Sequence, residues 1–214
     1  MATKKDSFLN MVLALFLVSF FSAAILGFVY NITKAPIEEA AEKTQETALK
    51  AILPEFNTLG KSQMIAPEDG GDSLEFFPAY NKSKELVGMA VKTTTNKGFG
   101  GLIEMMVGFK PDGNIFGYQV LKHQETPGLG ARMTTWFRDK THAKRNIIGK
   151  NPGKINFTVN KDGGDIDAMT ASTITSRAFL EAVKRAYKQY IVSFAANNDS
   201  NLKEENNESM EKFH

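Results

Sequence analysis

The 214-residue sequence contains no cysteine, and its charge is almost balanced, with 26 basic and 24 acidic side chains. The lack of cysteine excludes a disulfide scaffold and a Cys-ligated metal or iron–sulfur site. Because the net charge is only +2 and no Lys/Arg run is longer than two, we predict no nucleic-acid partner. A hydrophobic fraction of 42% also excludes a protein with many membrane spans, which leaves one water-soluble domain of ordinary size.

Familiar catalytic motifs are missing as well. The three histidines, His123, His142 and His214, have no metal-ligand spacing, so we predict no metal site. Neither GxxxxGK[ST] nor GxGxxG occurs despite 17 glycines, and no serine-hydrolase elbow is present. We therefore assign no catalytic residue from the sequence.

The exception to this polar composition is the N-terminal stretch from Phe8 to Tyr30, which has no charged residue. As a helix it is long enough to cross a hydrocarbon core of about 30 Å. A cleaved signal peptide is the alternative, because Ser22, Ala23 and Ala24 would suit a peptidase. Since the apolar region of a signal peptide usually has only about 7 to 15 residues, we predict an uncleaved transmembrane anchor over residues 8–30.

The charges flanking the anchor predict its orientation. Lys4 and Lys5 precede it, whereas several glutamates follow it within a few turns. The excess of basic residues at the N-terminus places residues 1–7 in the cytoplasm and residues 31–196 on the extracytoplasmic side.

At the opposite end, residues 197–214 contain five acidic residues, five asparagines and two lysines. Such a composition buries too little apolar surface to offset the entropy of ordering. We predict a disordered acidic tail.

Between anchor and tail, the pattern predicts an α+β domain with mostly antiparallel strands and flanking helices. A helix opens at Thr33 or Ala35, has Pro36 in its first turn and runs to about Ala51, before Pro54. Residues 57–72 are predicted to form a loop. Strands are expected at residues 74–80, 86–95, 102–110, 115–122 and 155–159.

Two further patterns complete this prediction. Pro111 to Asn114 is typical of a hairpin turn, and an amphipathic stretch surrounds Trp136 at residues 132–140. A long C-terminal helix is indicated by apolar residues at helical spacing, namely Phe179, Leu180, Val183, Tyr187, Tyr190 and Phe194.

The first candidate site is the segment from His123 to Gly130, directly after a predicted strand. Its Pro127, Gly128 and Gly130 would make a rigid backbone that a ligand can approach closely, with the polar groups of Glu125 and Thr126 at its mouth. An ordinary loop is the alternative.

The second candidate site runs from Asp167 to Thr173 and continues through Thr175, Ser176 and Arg177 at the start of the long helix. The N-terminus of a helix presents free backbone N–H groups that suit a phosphate, and Arg177 could add a charge-assisted contact. The alternative is a helix cap that is simply rich in hydroxyl groups.

Two segments together resemble a known family: GFGGLIEMMVGFKPDGNIFGYQVLKHQETPGLGARM, residues 98–133, and DAMTASTITSRAF, residues 167–179. They resemble the covalent FMN-binding domain in the G subunit of Rnf-type ion-translocating electron-transport complexes. The related C subunit of the sodium-translocating NADH:quinone oxidoreductase has the same domain. The resemblance extends over residues 34–195.

The resemblance implies that Thr173 carries FMN through a phosphoester bond to its hydroxyl. In the family motif, Asp167 stands at the head and Thr170 at a Ser/Thr position. Ala171 replaces the usual glycine and Ser172 the usual alanine, so that Ser172 and Thr170 offer additional hydroxyls. A positive φ at Ala171 would cost about 1 kcal/mol in strain.

The same resemblance implies the surroundings of the flavin. The loop from Glu125 to Gly130 would line the flavin site. Thr175 and Ser176 would cradle the phosphate. The remaining expected contacts are Thr126, Gly128, Leu129 and Arg177, with Lys122 and Arg132 as further sources of positive charge.

The function implied is that of a covalently flavinylated electron carrier in the bacterial inner membrane. It would be a redox subunit, without turnover of its own, in an Rnf-type translocase complex that couples electron transfer between ferredoxin and NAD to Na⁺ or H⁺ translocation. Its partners would be the other subunits and a Mg-dependent flavin transferase. Two alternatives remain, a C-type subunit of the quinone reductase and a membrane-tethered binding module without redox function, in which Thr173 only caps a helix.

Overall fold

The computed structural model describes the backbone of residues 8–66 and 72–211 and, within these ranges, the side chains as far as Ser193. The chain forms two compact units, residues 1–45 and 46–214. Its elements are α1 (Phe8–Ile52), β1 (Thr58–Leu59), β2 (Gln63–Ile65), β3 (Leu74–Tyr80), β4 (Leu86–Gly98), β5 (Gly101–Phe109), β6 (Ile115–His123), α2 (Met133–Trp136) and α3 (Thr173–Glu211).

The first unit consists, in its described part, of the greater part of helix α1. This helix is long and apolar enough to cross a membrane, and none of its most apolar stretch is buried inside the protein. The predicted cytoplasmic residues 1–7 lie outside the described residues. Exposed apolar side chains on all sides are what a helix in contact with lipid requires.

The predicted start of a separate helix near Pro36 is wrong, because α1 continues through this proline. A proline inside a helix removes one backbone hydrogen bond, but the residues on both sides still favour helix. The apolar run precedes it, and alanines, glutamates and lysines follow it, with Lys43 and Glu39 paired at 2.8 Å. The predicted end near Ala51 is confirmed, since α1 ends at Ile52.

The second unit is built on an antiparallel sheet with the strand order β1-β3-β4-β5-β6, and β2 also pairs with β3. The predicted hairpin between β5 and β6 is confirmed, with Gly113 at φ +78° in its turn. The short strands β1 and β2 lie in the segment predicted to be a loop. Runs of two or three residues are too short to show the alternation by which strands are predicted.

Alternate residues of the central strands face two separate hydrophobic clusters. On one face, Phe77, Ala90 and Met106 pack with the last residues of α1, including Leu49 and Ile52. On the other face, the sheet packs against α3. This larger cluster includes Phe76, Val91, Met105, Val107, Phe179, Val183 and Tyr190.

Aromatic stacking holds α3 against the sheet and against the residue that follows α2. The ring of Phe179 stacks on Phe137 at 4.6 Å between centroids, and Tyr190 stacks on Phe109 at 5.0 Å. The predicted apolar face of the helix is therefore confirmed for its described side chains. Together with the sheet, it confirms the α+β class with antiparallel strands and flanking helices.

The predicted strand at residues 155–159 is wrong. This segment is a series of turns, and its only ladder-like contact in the described chain is a bridge between Val159 and Ile166. The backbone carbonyls of Asn156, Thr158 and Val159 accept hydrogen bonds from residues just downstream. Ile166 donates to the carbonyl of Thr158 at 3.1 Å, and Asn160 donates to the carbonyl of Ile166 at 2.7 Å. The segment thus closes on itself instead of joining the sheet.

The backbone of α3 also differs from the prediction at its end, because it continues as a helix through Asn197 to Glu211, where a disordered tail is expected. No proline or glycine follows Gly164, so the sequence has no strong signal that would stop the helix. Residues 212–214 and the side chain of Phe194 lie outside the described part of the chain.

Candidate functional site

The two candidate segments and the turn between β4 and β5 surround a cavity of about 320 Å³, which is large enough for a small organic ligand. The loop after β6 forms one wall, and the start of α3 forms another. The lining residues are Phe99, Glu125, Thr126, Leu129, Gly130, Ala171, Ser172, Thr173, Ile174 and Thr175.

The carboxylate of Glu125 joins these three segments. Its Oε2 accepts a hydrogen bond from Oγ1 of Thr175 at 2.7 Å, and its Oε1 accepts one from the backbone N of Gly100 at 3.1 Å. Glu125 is only 5% exposed. A buried carboxylate requires such donors, because an unpaired charge away from water is costly.

Glycines leave the space that this carboxylate occupies. A Cβ atom at Gly130 would lie 2.1 Å from Oε2 of Glu125, and one at Gly98 would lie 2.5 Å from Oε1. The first glycine follows β6 and the second ends β4. Their absent side chains leave room for the Glu125 carboxylate beside the cavity.

The start of α3 is held by Ser176, which is fully buried. Its Oγ accepts a hydrogen bond from the backbone N of Met169 at 2.9 Å and donates one to the carbonyl of Ser172 at 2.9 Å. The hydroxyl of Ser176 therefore stabilises the turn before the helix and does not line the cavity. Thr175, in contrast, lines the cavity, and its hydroxyl donates a hydrogen bond to Glu125.

The turn that precedes Thr173 has a left-handed residue. Ala171 adopts φ +60°, the conformation in which an alanine is strained and a glycine is not. The position where the resembled family has glycine is thus a position whose backbone favours glycine.

Replacing Ala171 by glycine is expected to raise the free energy of unfolding by about 0.5–1 kcal/mol, since relief of strain exceeds the added entropy of the unfolded chain. Urea denaturation of the full chain would measure the difference. Ala168→Gly is the matched control and is expected to lower stability, because Ala168 has no positive φ. A loss of stability in Ala171→Gly would contradict the strained geometry.

Arg177 does not line the cavity. Its Nε and Nη2 donate hydrogen bonds to the two carboxylate oxygens of Asp162, each at 2.7 Å. The hydrogen bond from Arg177 lowers the pKa of Asp162. The cation that contacts the predicted acceptor is Lys161 instead, whose Nζ donates to Oγ1 of Thr173 at 3.1 Å.

The other predicted residues lie outside the cavity lining. Asp167 accepts a hydrogen bond from Nδ2 of Asn160 at 3.0 Å, and its carbonyl accepts one from Nε1 of Trp136 at 3.0 Å. Thr170 is an exposed turn residue. Gly128 adopts φ +76° in the loop after β6.

Of the two further basic candidates, Lys122 is exposed on β6 and Arg132 lies with its guanidinium 4.7 Å from the centre of the Trp136 ring. Neither lines the cavity.

Two apolar residues of the lining, Phe99 and Ile174, were not among the predicted contacts. Phe99 and Ile174 are 72% and 51% exposed, and together with Leu129 they place apolar surface around the cavity mouth. Exposed apolar groups beside the buried polar groups of the lining suit a flat aromatic ligand with a polar edge. Phe99 could have been noticed, because it stands between the glycines of GFGG.

This site lies in a recognised domain: residues 98–188 match the family model described as FMN-binding domain. The match begins at Gly98, the last residue of β4, and extends into α3, so it includes all the residues that line the cavity. The site is therefore that of an FMN-binding domain.

Comparison with known proteins then identifies the family. The G subunit of the ion-translocating oxidoreductase complex of Salmonella typhi is 35% identical over 175 residues, which cover 77% of this chain and 82% of that protein. The protein of the same name in Vibrio atlanticus is 32% identical over 199 residues, covering 89% and 90%. The chain belongs to the family of G subunits of ion-translocating oxidoreductase complexes, which confirms the resemblance.

Among solved structures, the crystal structure of Shewanella oneidensis NqrC is similar to 62% of this chain and 69% of its own, at 20% identity and a TM-score of 0.45.

Proposed function

We propose that this protein is a membrane-anchored electron carrier whose FMN is attached covalently to Thr173. The observation that supports the proposal best is the position of Thr173 at a cavity in the FMN-binding domain, beside a lysine ammonium and at the start of a helix. The positive end of the helix dipole and the lysine both favour a bound phosphate.

The residues of the cavity fit a flavin. Phe99, Leu129 and Ile174 offer apolar surface for its ring system, while Glu125 and Thr126 offer polar groups for its edge. When bound, the flavin accepts and releases one or two electrons. The chain retains it through Thr173, limits its contact with water and sets its electrostatic surroundings.

The anchor and the family membership support the cellular role. Helix α1 would hold the domain on the extracytoplasmic side of the bacterial inner membrane, with the N-terminus in the cytoplasm. The relatives are subunits of an ion-translocating oxidoreductase complex. We therefore infer that this chain passes electrons between other subunits of such a complex, which couples electron flow between ferredoxin and NAD to Na⁺ or H⁺ translocation.

The proposal is tested by co-expressing the chain with a flavin transferase and imaging flavin fluorescence on a denaturing gel. Mass spectrometry would map the labelled peptide. A fluorescent band with FMN on the peptide that contains Thr173 is expected. A dark band, with the transferase active on a known acceptor, would instead favour the non-redox binding module.

Replacing Glu125 by glutamine is expected to shift the midpoint potential of the attached flavin to a more positive value. Glu125 places a negative charge at a wall of the cavity, away from water, where it opposes the addition of electrons. Glutamine has a similar shape without that charge. Spectroelectrochemical titration would measure the shift.

The matched control is Glu104→Gln, in which the altered carboxylate pairs with Lys92 at 3.0 Å and does not line the cavity. Its flavin should keep the wild-type potential. An unchanged potential in Glu125→Gln would contradict the placement of the ring system beside Glu125.

A further inference from the structure

The turn that contains Lys161 is hydrogen-bonded to the segment that contains Thr173. Lys161 is the middle residue of the 3₁₀ turn Asn160–Asp162. Its contact with Thr173 joins residues that are 12 positions apart, so the contact depends on how this turn folds against the start of α3.

Side chains on both sides of Lys161 hold the turn in place. Asn160 donates from Nδ2 to Oδ1 of Asp167 at 3.0 Å, and its Oδ1 accepts from the backbone N of Ala168 at 3.3 Å. Asp162 accepts the two hydrogen bonds from Arg177. Three consecutive residues therefore contact the motif or the first turns of α3, and the central one meets the hydroxyl of Thr173.

The main chain restrains the same turn. The backbone N of Gly164 donates to the carbonyl of Val159 at 3.0 Å, and Gly163 closes the turn at φ +80°. A residue with this conformation is normally glycine, because a side chain would be strained there. The backbone from which Lys161 extends is thus well defined even though its side chain is exposed.

We propose that Lys161 is the cation of the flavin attachment site, which stabilises the oxygen of Thr173 during attachment and afterwards pairs with the phosphodiester. This inference rests on the proposed function of Thr173. In the transfer, Oγ1 of Thr173 forms a bond to the FMN-side phosphorus of FAD, and the pyrophosphate bond breaks. AMP leaves, the hydroxyl proton passes to a base of the transferase, and no electron is gained or lost.

An ammonium group at hydrogen-bond distance favours every state in which negative charge lies at or near Oγ1. Such charge develops on the attacking oxygen and then resides on the two free oxygens of the phosphodiester. The four-carbon stem of lysine allows Nζ to follow the charge from one position to the other. Arg177 is less suited to this role, because its guanidinium is engaged by Asp162.

The inference is tested with the purified full-length chain, a purified flavin transferase, FAD and Mg²⁺. The initial rate of labelling is read from in-gel flavin fluorescence for the wild type, Lys161→Gln and Lys161→Arg. Loss of a charge-assisted hydrogen bond should slow Lys161→Gln by about ten-fold or more. Lys161→Arg keeps the charge and is expected to recover most of the rate.

Lys154→Gln is the matched control, since it removes an exposed lysine from the same loop region and should label at the wild-type rate. Circular dichroism melting curves of all variants would separate a charge effect from loss of folding. A Lys161→Gln chain that folds normally and labels as fast as the wild type would overturn the role of Lys161 and leave Thr173 as the carrier. A wild type that stays unlabelled beside a labelled acceptor would overturn both proposals.

Discussion

Replacing Thr173 by alanine is expected to yield a folded protein without any covalent flavin. The hydroxyl oxygen is the atom of this side chain that can form a phosphoester, so its removal should abolish labelling and not merely slow it. In-gel flavin fluorescence after co-expression with a flavin transferase would measure the loss. The accompanying loss of stability should be below about 1 kcal/mol, because the hydrogen bond to Lys161 is exposed.

Three variants make this result specific. Thr173→Ser keeps a hydroxyl and should retain some label, whereas Thr170→Ala and Ser172→Ala should retain it fully. Neither hydroxyl is expected to be the acceptor, because Thr170 lies outside the cavity lining and Ser172 is only 7% exposed. If Thr173→Ala still carried flavin, peptide mapping would decide between Ser172 and Thr170, and the assignment of Thr173 would be wrong.

Replacing Gly108 by alanine is expected to reduce the free energy of unfolding by about 3 kcal/mol or more. A Cβ atom at this position would lie 1.7 Å from the carbonyl oxygen of Ile52 and 2.7 Å from its carbonyl carbon. Both atoms belong to the backbone at the end of α1, so no side chain can rotate to make room. The end of the helix would have to leave the sheet, and the buried contacts of Leu49 and Leu53 would loosen with it.

Urea denaturation of the full chain in detergent, followed by tryptophan fluorescence, would measure this loss. Gly117→Ala is a graded comparison, because its Cβ would lie 2.9 Å from Cα of Ile52, and a loss of about 1–2 kcal/mol is expected. Lys82→Ala, in the exposed turn between β3 and β4, should change stability by less than about 0.5 kcal/mol. Equal losses of stability for Gly108→Ala and Gly117→Ala would contradict the close contact between the carbonyl group of Ile52 and Gly108 on β5.

The long elements of the fold could be predicted from the sequence because each of them repeats a local pattern. The strands β3, β5 and β6 alternate or stay apolar over seven to nine residues, and the hairpin between β5 and β6 has a proline and a glycine in its turn. The segment from Ile155 to Val159 resembles a strand locally but forms turns. Its hydrogen-bond partners include Asp162, Gly164, Asp165 and Ile166, a pairing that no pattern within the segment indicates.

The residues of the candidate site likewise fall into those that the sequence predicted and those that it did not. Six of the predicted flavin contacts line the cavity, namely Glu125, Thr126, Leu129, Ser172, Thr173 and Thr175. They could be found because they stand in two compact motifs. Phe99 and Ile174 were missed, since an exposed apolar residue has no special pattern when its neighbours in space are unknown.

The sequence by itself therefore determined the family and the membrane-length apolar stretch, since each of these is encoded by adjacent residues. The resemblance also led to the proposal that Thr173 is the acceptor. Only the tertiary structure decided which partner each charged side chain meets. It engages Arg177 with Asp162, brings Lys161 to Thr173 and buries Glu125 between Gly100 and Thr175. The physical reason is that a hydrogen bond or ion pair depends on distance in space. Residues from separate turns and strands come within hydrogen-bond distance of one another only after the sheet and α3 have packed.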